Sequence, residues 1–244
     1  MNDDNIISWF IGFVEGDGSF VINRNGYLEF KITQSSYDVS ILYFIKERLG
    51  FGQVRVQDKL QNTHHFRVRD KTNLLKIITL FNGRLILEKR RVQFNKWLTA
   101  FNLKYKMSVD ILQHHLEPAL SNAWLSGFTD AEGCFTFSLI FRNPTYTQVL
   151  VRYIVSQKDE RIALEKIALL FQGRISYLKS YGGYNMTVNF SNLKKVIEYF
   201  SKYPLLSNKR IVFQNWLKVY HLVLTRQHLT HQGLEEIKKL KIVG

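Results

Sequence analysis

Two stretches decide how this chain is read: Trp9-Phe-Ile-Gly-Phe-Val-Glu-Gly-Asp-Gly-Ser-Phe20 and Trp124-Leu-Ser-Gly-Phe-Thr-Asp-Ala-Glu-Gly-Cys-Phe135. Each carries apolar residues at helical spacing, then an acid, a glycine and an alternating segment. They are not an isolated pair. Leu87-Glu-Lys-Arg-Arg-Val-Gln-Phe-Asn-Lys-Trp97-Leu98 is answered by Leu206-Ser-Asn-Lys-Arg-Ile-Val-Phe-Gln-Asn-Trp216-Leu217, and Asn73–Phe81 by Asn192–Phe200, both at a separation of 119 positions. Phe30-Lys-Ile-Thr-Gln34 is answered by Tyr153-Ile-Val-Ser-Gln157, and Gly52 by Gly173. Matches in one order, with offsets drifting only by loop-sized amounts, mark an internal duplication. The expected organisation is a first half over 1–101, a linker over 102–120, a second half over 121–224 and a tail over 225–244.

Each half reads alike. Ile6–Asp17 has helical spacing, and Gly18 is expected to stop it in the left-handed conformation. Ser19–Asn25 and Leu28–Gln34 alternate around the hairpin signal Asn25-Gly26. Val39–Leu49 reads as a helix, Val54–Gln57 and Phe66–Arg69 as a second hairpin, and Thr72–Phe81 and Glu88–Phe101 as further helices. The fold class is α+β, with duplicated αββαββα units. Each unit has a four-stranded antiparallel sheet, helices on one face and the other face open. Two such faces side by side are expected to form a pseudo-twofold symmetric saddle.

The 244 residues carry 34 Lys and Arg against 20 Asp and Glu, a formal charge of +14, which points to a polyanionic partner. A single cysteine, Cys134, excludes an internal disulfide and a cysteine-based zinc site. No apolar run of membrane-spanning length appears, so no membrane partner is expected. Met1–Ile6, with Asp3 and Asp4, does not read as a signal or transit peptide. No phosphate-cradling Gly-x-x-x-x-Gly-Lys loop occurs. The adjacent pairs His64-His65 and His114-His115 do not share a metal easily on regular structure, and His221, His228 and His231 read as surface residues.

The chemistry lies in the two opening stretches. Gly12 and Gly16, like Gly127 and Ala131, are four apart and leave a stripe without bulky side chains, so the two helices can approach closely. Asp17 and Glu132 then end those helices side by side, repelling each other and facing the negative ends of the helix dipoles. A divalent cation relieves both problems. Hard oxygen ligands and a phosphate substrate favour Mg²⁺, with Mn²⁺ as a substitute and with Gly16 and Ala131 beside the acids as further metal-site residues. Glu15 and Asp130, two residues earlier, are turned about 200° away and read as peripheral.

Phe10-Ile-Gly-Phe-Val-Glu-Gly-Asp-Gly18 and Leu125-Ser-Gly-Phe-Thr-Asp-Ala-Glu-Gly133 resemble two copies of the LAGLIDADG signature, and the resemblance extends over nearly the whole chain. It implies a monomeric single-chain homing endonuclease that cuts both strands of a long DNA site, leaving short 3′ overhangs. It also implies a glutamine near the end of the second strand, fitted by Gln34 and Gln157, and a lysine opening the last helix of each half. Lys209 fits the latter. The first half has Arg90 there with Lys89 beside it, and an arginine stays protonated and mainly neutralises charge.

Alternation on the open faces nominates DNA readers: Ser19, Val21, Asn23 and Asn25; Glu29, Lys31 and Thr33; Arg55 and Gln57; His65, Arg67 and Arg69. In the second half they are Thr136, Ser138 and Arg142; Arg152; Arg174 and Ser176; Asn185, Thr187 and Asn189. This mixture suits base-edge and phosphate hydrogen bonding. The halves differ, so the duplex target is expected to be asymmetric. The rival reading is a maturase that binds its host intron RNA, with or without DNA cleavage; a nucleoid or ribosomal protein is a third. Two retained, mutually repelling acids argue for the nuclease. Abundant Asn, Lys, Ile, Phe and Tyr, together with the family, point to a mitochondrion or chloroplast.

Overall fold

The computed structural model describes residues 1–143 and 146–242, and the chain divides into two compact units, Met1–Glu132 and Gly133–Gly244. The first contains α1 (Asp3–Asp17), β1 (Gly18–Ile22), β2 (Leu28–Ser35), α2 (Val39–Leu49), β3 (Gln53–Asp58), β4 (Thr63–Val68), α3 (Lys71–Phe81), α4 (Glu88–Tyr105) and α5 (Trp124–Glu132). The second contains β5 (Gly133–Asn143), β6 (Tyr146–Gln157), α6 (Arg161–Phe171), β7 (Arg174–Leu178), β8 (Gly183–Asn189), α7 (Leu193–Lys202), α8 (Lys209–Leu224) and α9 (His231–Ile242). The duplicated order is the expected one, and the fold is α+β.

Each unit holds one four-stranded antiparallel sheet, ordered β1-β2-β4-β3 and β5-β6-β8-β7. Along β2 burial alternates strictly from Leu28 to Ile32, because Leu28, Phe30 and Ile32 point at the helices while Glu29 and Lys31 point away. The same aromatic nucleus is built twice. Phe20 lies with its ring centroid 5.0–5.5 Å from Phe30, Phe81, Phe94 and Trp97. Its counterpart Phe135 lies 4.9–5.3 Å from Tyr153, Phe200, Phe213 and Trp216. Edge-to-face, tilted and stacked rings of this kind fill a core and hold the last helix of each repeat against its first hairpin.

α1 starts where Asn2 accepts the Asn5 N–H (3.0 Å), with Asp3 and Asp4 in its positively polarised first turn. It packs along α5 so closely that a Cβ at Gly12 would stand 1.9 Å from the Trp124 carbonyl oxygen. A Cβ at Gly127 would stand 1.8 Å from the Trp9 carbonyl oxygen. The small-residue stripe is thus a backbone-to-backbone contact. This packing draws α5 into the first unit, although the sequence pairs it with the second repeat.

Three local expectations are corrected. Gly18 ends α1 in an extended conformation (φ −82°), so it is not a left-handed stop; glycine is needed because a Cβ would stand 2.5 Å from Val14 Cγ1. β1 ends at Ile22, which puts Asn23 and Asn25 in the turn: Asn23 Oδ1 accepts the Asn25 N–H (3.0 Å) and the Tyr27 N–H (2.8 Å). α4 runs on to Tyr105, and Asn102 then pins the connector by exchanging hydrogen bonds with Val109 (2.9 and 3.1 Å). Residues 231–242 form α9, which packs on α8 with Ile237 buried. Among the described residues, no helix is long and apolar enough to cross a membrane.

Candidate active site and nucleic-acid face

The close contact of α1 and α5 sets the ends of the two helices beside each other in the first unit, with Gly16 against Ala131 and Glu132. Glu132 folds over Gly16, its Oε1 3.6 Å from where a Cβ would be, and Asp17 is the next residue along. Gln34, near the end of β2, donates from Nε2 to Asp17 Oδ2.

Arg90, in the first turn of α4, reaches back to the C-terminal end of α1. Its guanidinium donates to the Glu15 carbonyl (3.1 and 3.3 Å) and the Gly16 carbonyl (3.0 Å), and to Gln93 Oε1 (2.7 Å). A fixed cation there offsets the negative pole of α1 beside Asp17. Lys89 is exposed one position earlier. In the second unit Gln157 ends β6, and Lys209 opens α8, its N–H donating to Ser207 Oγ (3.2 Å).

Glu15 and Asp130 are not peripheral. Glu15 is 2% exposed: Oε1 accepts the Ile86 (2.7 Å) and Leu87 (2.5 Å) N–H groups, and Oε2 accepts the Trp124 indole N–H (2.5 Å). Asp130 Oδ2 accepts the Trp9 indole N–H at 2.7 Å. The acid before the terminal one on each helix thus holds the tryptophan of the other helix. Glu15 lies three residues after Gly12 and therefore on the packing stripe. That spacing is a signal the sequence does contain. Glu15 also fixes Leu87, where α4 begins, and so sets the position of Arg90.

Burial pushes the Glu15 carboxyl from 4.5 up to about 8, against the pull of the Leu87, Trp124 and Ile86 donors and of Arg90. A folded-state value above the unfolded one means that the native state retains a proton the unfolded chain has lost. Stability from this group is thus complete below about pH 4.5 and is lost as pH rises through about 8. Glu15→Gln removes the titration, so the fall in melting temperature between pH 5 and pH 8 is expected to be smaller than in the wild type. Identical pH slopes for the two proteins would show that the donors keep Glu15 ionised throughout.

The outward faces carry the nominated readers. On the first sheet Lys31 stands opposite Ser19 and Arg67, and Thr33 opposite His65, which is opposite Arg55 in turn. Glu29 accepts from Arg69 and lies 3.8 Å from Arg67 Nε, so two of the cations share one acid. Arg69 itself lies one residue beyond β4. On the second sheet Thr136 faces Arg152, which faces Asn189; Arg174 faces Thr187, and Ser176 faces Asn185. Arg142 bonds Gln148 (2.7 and 3.0 Å), and Arg152 bonds Ser138 (3.1 Å). The same alternation adds Gln53, Thr63, Cys134, Gln148, Ile154 and Ser156, which lie where the strands run beyond their most regular stretches of sequence.

Among the described residues, no group of three or more His, Cys, Asp or Glu side chains is spaced to hold a metal. Two carboxylates with nearby carbonyls nevertheless fit Mg²⁺, which binds through one or two carboxylates and leaves its other positions to phosphate and water. One lone pair of the Gly16 carbonyl is already engaged by Arg90.

Two helices packed glycine to backbone and ending in neighbouring acids, joined to repeated sheets, define a two-motif protein. The chain belongs to the LAGLIDADG endonuclease family, whose model matches residues 10–101 and 125–220. It is similar to probable intron-encoded endonuclease 4 of Neurospora crassa, with 53% identity over 96% of this chain and 43% of the relative. The chain therefore spans less than half of that relative. An uncharacterized cox1 intron-2 protein of Schizosaccharomyces pombe is 32% identical over 98% of this chain and 72% of its own length. Among solved structures, LAGLIDADG meganuclease I-AabMI bound to uncleaved DNA superposes with a TM-score of 0.83 at 25% identity, covering 96% of this chain and 97% of that one.

Proposed function

We propose that this chain is a site-specific endonuclease that hydrolyses both strands of a long, asymmetric DNA duplex, acting as a monomer with Mg²⁺ held between Asp17 and Glu132. The observation that carries this reading is the backbone contact of α1 and α5, the helices whose last residues are Asp17 and Glu132, with Glu132 Oε1 3.6 Å from where a Cβ of Gly16 would be. Family membership and the name of the Neurospora relative support it. A divalent cation bound there supplies charge neutralisation of the phosphate and a more acidic water. Gln34 holds the Asp17 carboxylate in place. Arg90, always protonated, neutralises charge on the first-unit side, while Lys209 is suited to orient water or relay a proton. The outward residues of each sheet take the major-groove edges and phosphates of one half of the target. The composition and the intron-encoded relatives support work in an organelle.

The test is a cleavage selection from randomised duplex DNA with Mg²⁺ present, repeated with excess chelator. One long non-palindromic site is expected among the cut products, with no cutting under chelation. Folded protein that enriches no cut sequence would refute the reading.

Binding should also be steeply salt-dependent, since log K falls by about 0.9 per neutralised phosphate for each unit of log salt. Lys31, Arg55, Arg67, Arg69, Arg142, Arg152 and Arg174 together predict a slope of several units, moderated where Arg67 and Arg69 share Glu29. An affinity for target duplex that does not change between low and high salt would detach the basic faces from DNA.

A further inference from the structure

Gln93 stands one turn after Arg90 on α4 and is half-buried. Its Oε1 accepts an Arg90 Nη1 proton at 2.7 Å, and its Nε2 donates to Ser19 Oγ at 3.4 Å. Ser19 lies on β1, two residues after Asp17. One amide therefore ties the guanidinium to the strand that leaves the end of α1. The second repeat changes this cluster as a set. With Trp97 matched to Trp216 and Phe20 to Phe135, the residues Arg90, Gln93 and Ser19 correspond to Lys209, Val212 and Cys134. A valine side chain has no hydrogen-bonding group, so the second copy cannot make the bridge. Three residues joined by hydrogen bonds in one copy thus differ together in the other.

We infer that Gln93 is a positioning residue for the cut made on the first-unit side, acting through Arg90 on Asp17, an inference that rests on the endonuclease reading above. A long side chain such as arginine loses much rotamer freedom when it is held in one place, so its acceptors decide where it stays. The Glu15 and Gly16 carbonyls take the Nε and Nη2 protons, on one edge of the planar fork. Gln93 takes an Nη1 proton, and the plane is then fixed from both sides. The Gly16 carbonyl and the Asp17 nitrogen belong to one planar peptide group, so a bond that holds that carbonyl also orients the Asp17 backbone. Glutamine suits this task because its amide oxygen accepts from the guanidinium without bringing a charge. A carboxylate at position 93 would pair with Arg90 and cancel the positive charge kept beside Asp17. The second unit, with Lys209 and Val212, holds its basic residue in some other way, so the dependence on this bridge belongs to one side of the reaction.

The experiment uses the full chain and its selected duplex, with single-turnover rates measured separately for each strand. Gln93→Leu keeps the bulk of the side chain and removes both hydrogen bonds. It is expected to slow one strand by about tenfold to a hundredfold, the usual loss when an outer-shell partner is removed, and to leave the other close to wild type. The loss should fall on kcat rather than KM, with duplex affinity and melting temperature held. Gln93→Glu keeps the acceptor but cancels the charge of Arg90, and should slow the same strand. In the Arg90→Met background, which already lacks the guanidinium, Gln93→Leu should add no further loss. A readout free of activity is the Arg90 Nε–H resonance, assigned by its absence from the Arg90→Met protein: it should be visible in the wild type and lost to exchange in Gln93→Leu. Wild-type rates on both strands, equal slowing of the two strands, a full further loss in the Arg90→Met background or an unchanged resonance would each overturn the inference. A lowered melting temperature with raised KM would overturn it too, as the mark of a purely structural residue. A wild-type protein that cuts no duplex would overturn the endonuclease reading as well; sharp wild-type cutting with an unaltered Gln93→Leu protein would overturn only the role of Gln93.

Discussion

Alanine at Gly127 is expected to cost the protein much of its stability. The added Cβ would stand 1.8 Å from the Trp9 carbonyl oxygen, 2.7 Å from its carbon and 2.8 Å from the Phe13 nitrogen. These are backbone atoms of a helix, with no rotamer to yield, so α1 and α5 must separate. Separation also stretches the reciprocal bonds of Trp9 to Asp130 and Trp124 to Glu15. Overpacking of a core costs about 1–3 kcal/mol where side chains can adjust. A backbone clash belongs at or above the top of that range, which for a chain of this size lowers the melting temperature by roughly 6–12 °C or more. Gly182→Ala is the control: φ is +65° but nothing lies within 4 Å, so only left-handed strain of about 1–2 kcal/mol is expected. Equal melting temperatures for Gly127→Ala and the wild type would mean that the helices are not in backbone contact.

Asp17→Asn should have the largest effect on activity. The substitution keeps the size of the side chain and an oxygen to accept from Gln34, so the local fold is preserved. It removes one of the two carboxylates proposed to hold the cation, and the rate of double-strand cleavage should fall on the order of a thousandfold. Affinity for the duplex should stay within about tenfold, roughly 1.4 kcal/mol. Loss of one of two neighbouring like charges should leave the melting temperature unchanged or higher, the usual signature of a site kept for function. Glu132→Gln should behave in the same way. Strand-resolved cleavage of end-labelled duplex measures both variants. A purified Asp17→Asn protein that cuts both strands at the wild-type rate would remove the acid from the mechanism.

Much of the site was legible because the chain states it twice. One Asp-Gly pair at a helix end is ordinary, but Asp17-Gly18 and Glu132-Gly133 occupy the same place in two copies. The roles of Arg90 and Glu15 were less legible. An arginine in a helix's first turn reads as a solvated cation until the end of another helix is brought against it. Glu15 and Asp130, two residues before the terminal acids, read as peripheral in the sequence, yet the direction they face is occupied by a second helix.

The sequence by itself determined the duplication, the order of helices and strands, the α+β class, the inward and outward faces of the strands, and the acids at the helix ends. These depend on periods of two and 3.6 residues and on caps and turns, which are local properties of the chain. Tertiary structure alone decided that α5 packs into the first unit, that Trp9 and Trp124 exchange bonds with Asp130 and Glu15, and that Arg90 closes the end of α1. It alone also left the His65 ring nitrogens and the Asn185 amide oxygen buried without a hydrogen-bond partner. Each of these depends on which atoms meet across tens to more than a hundred residues of chain, and whether a buried polar group is satisfied is settled only by that meeting.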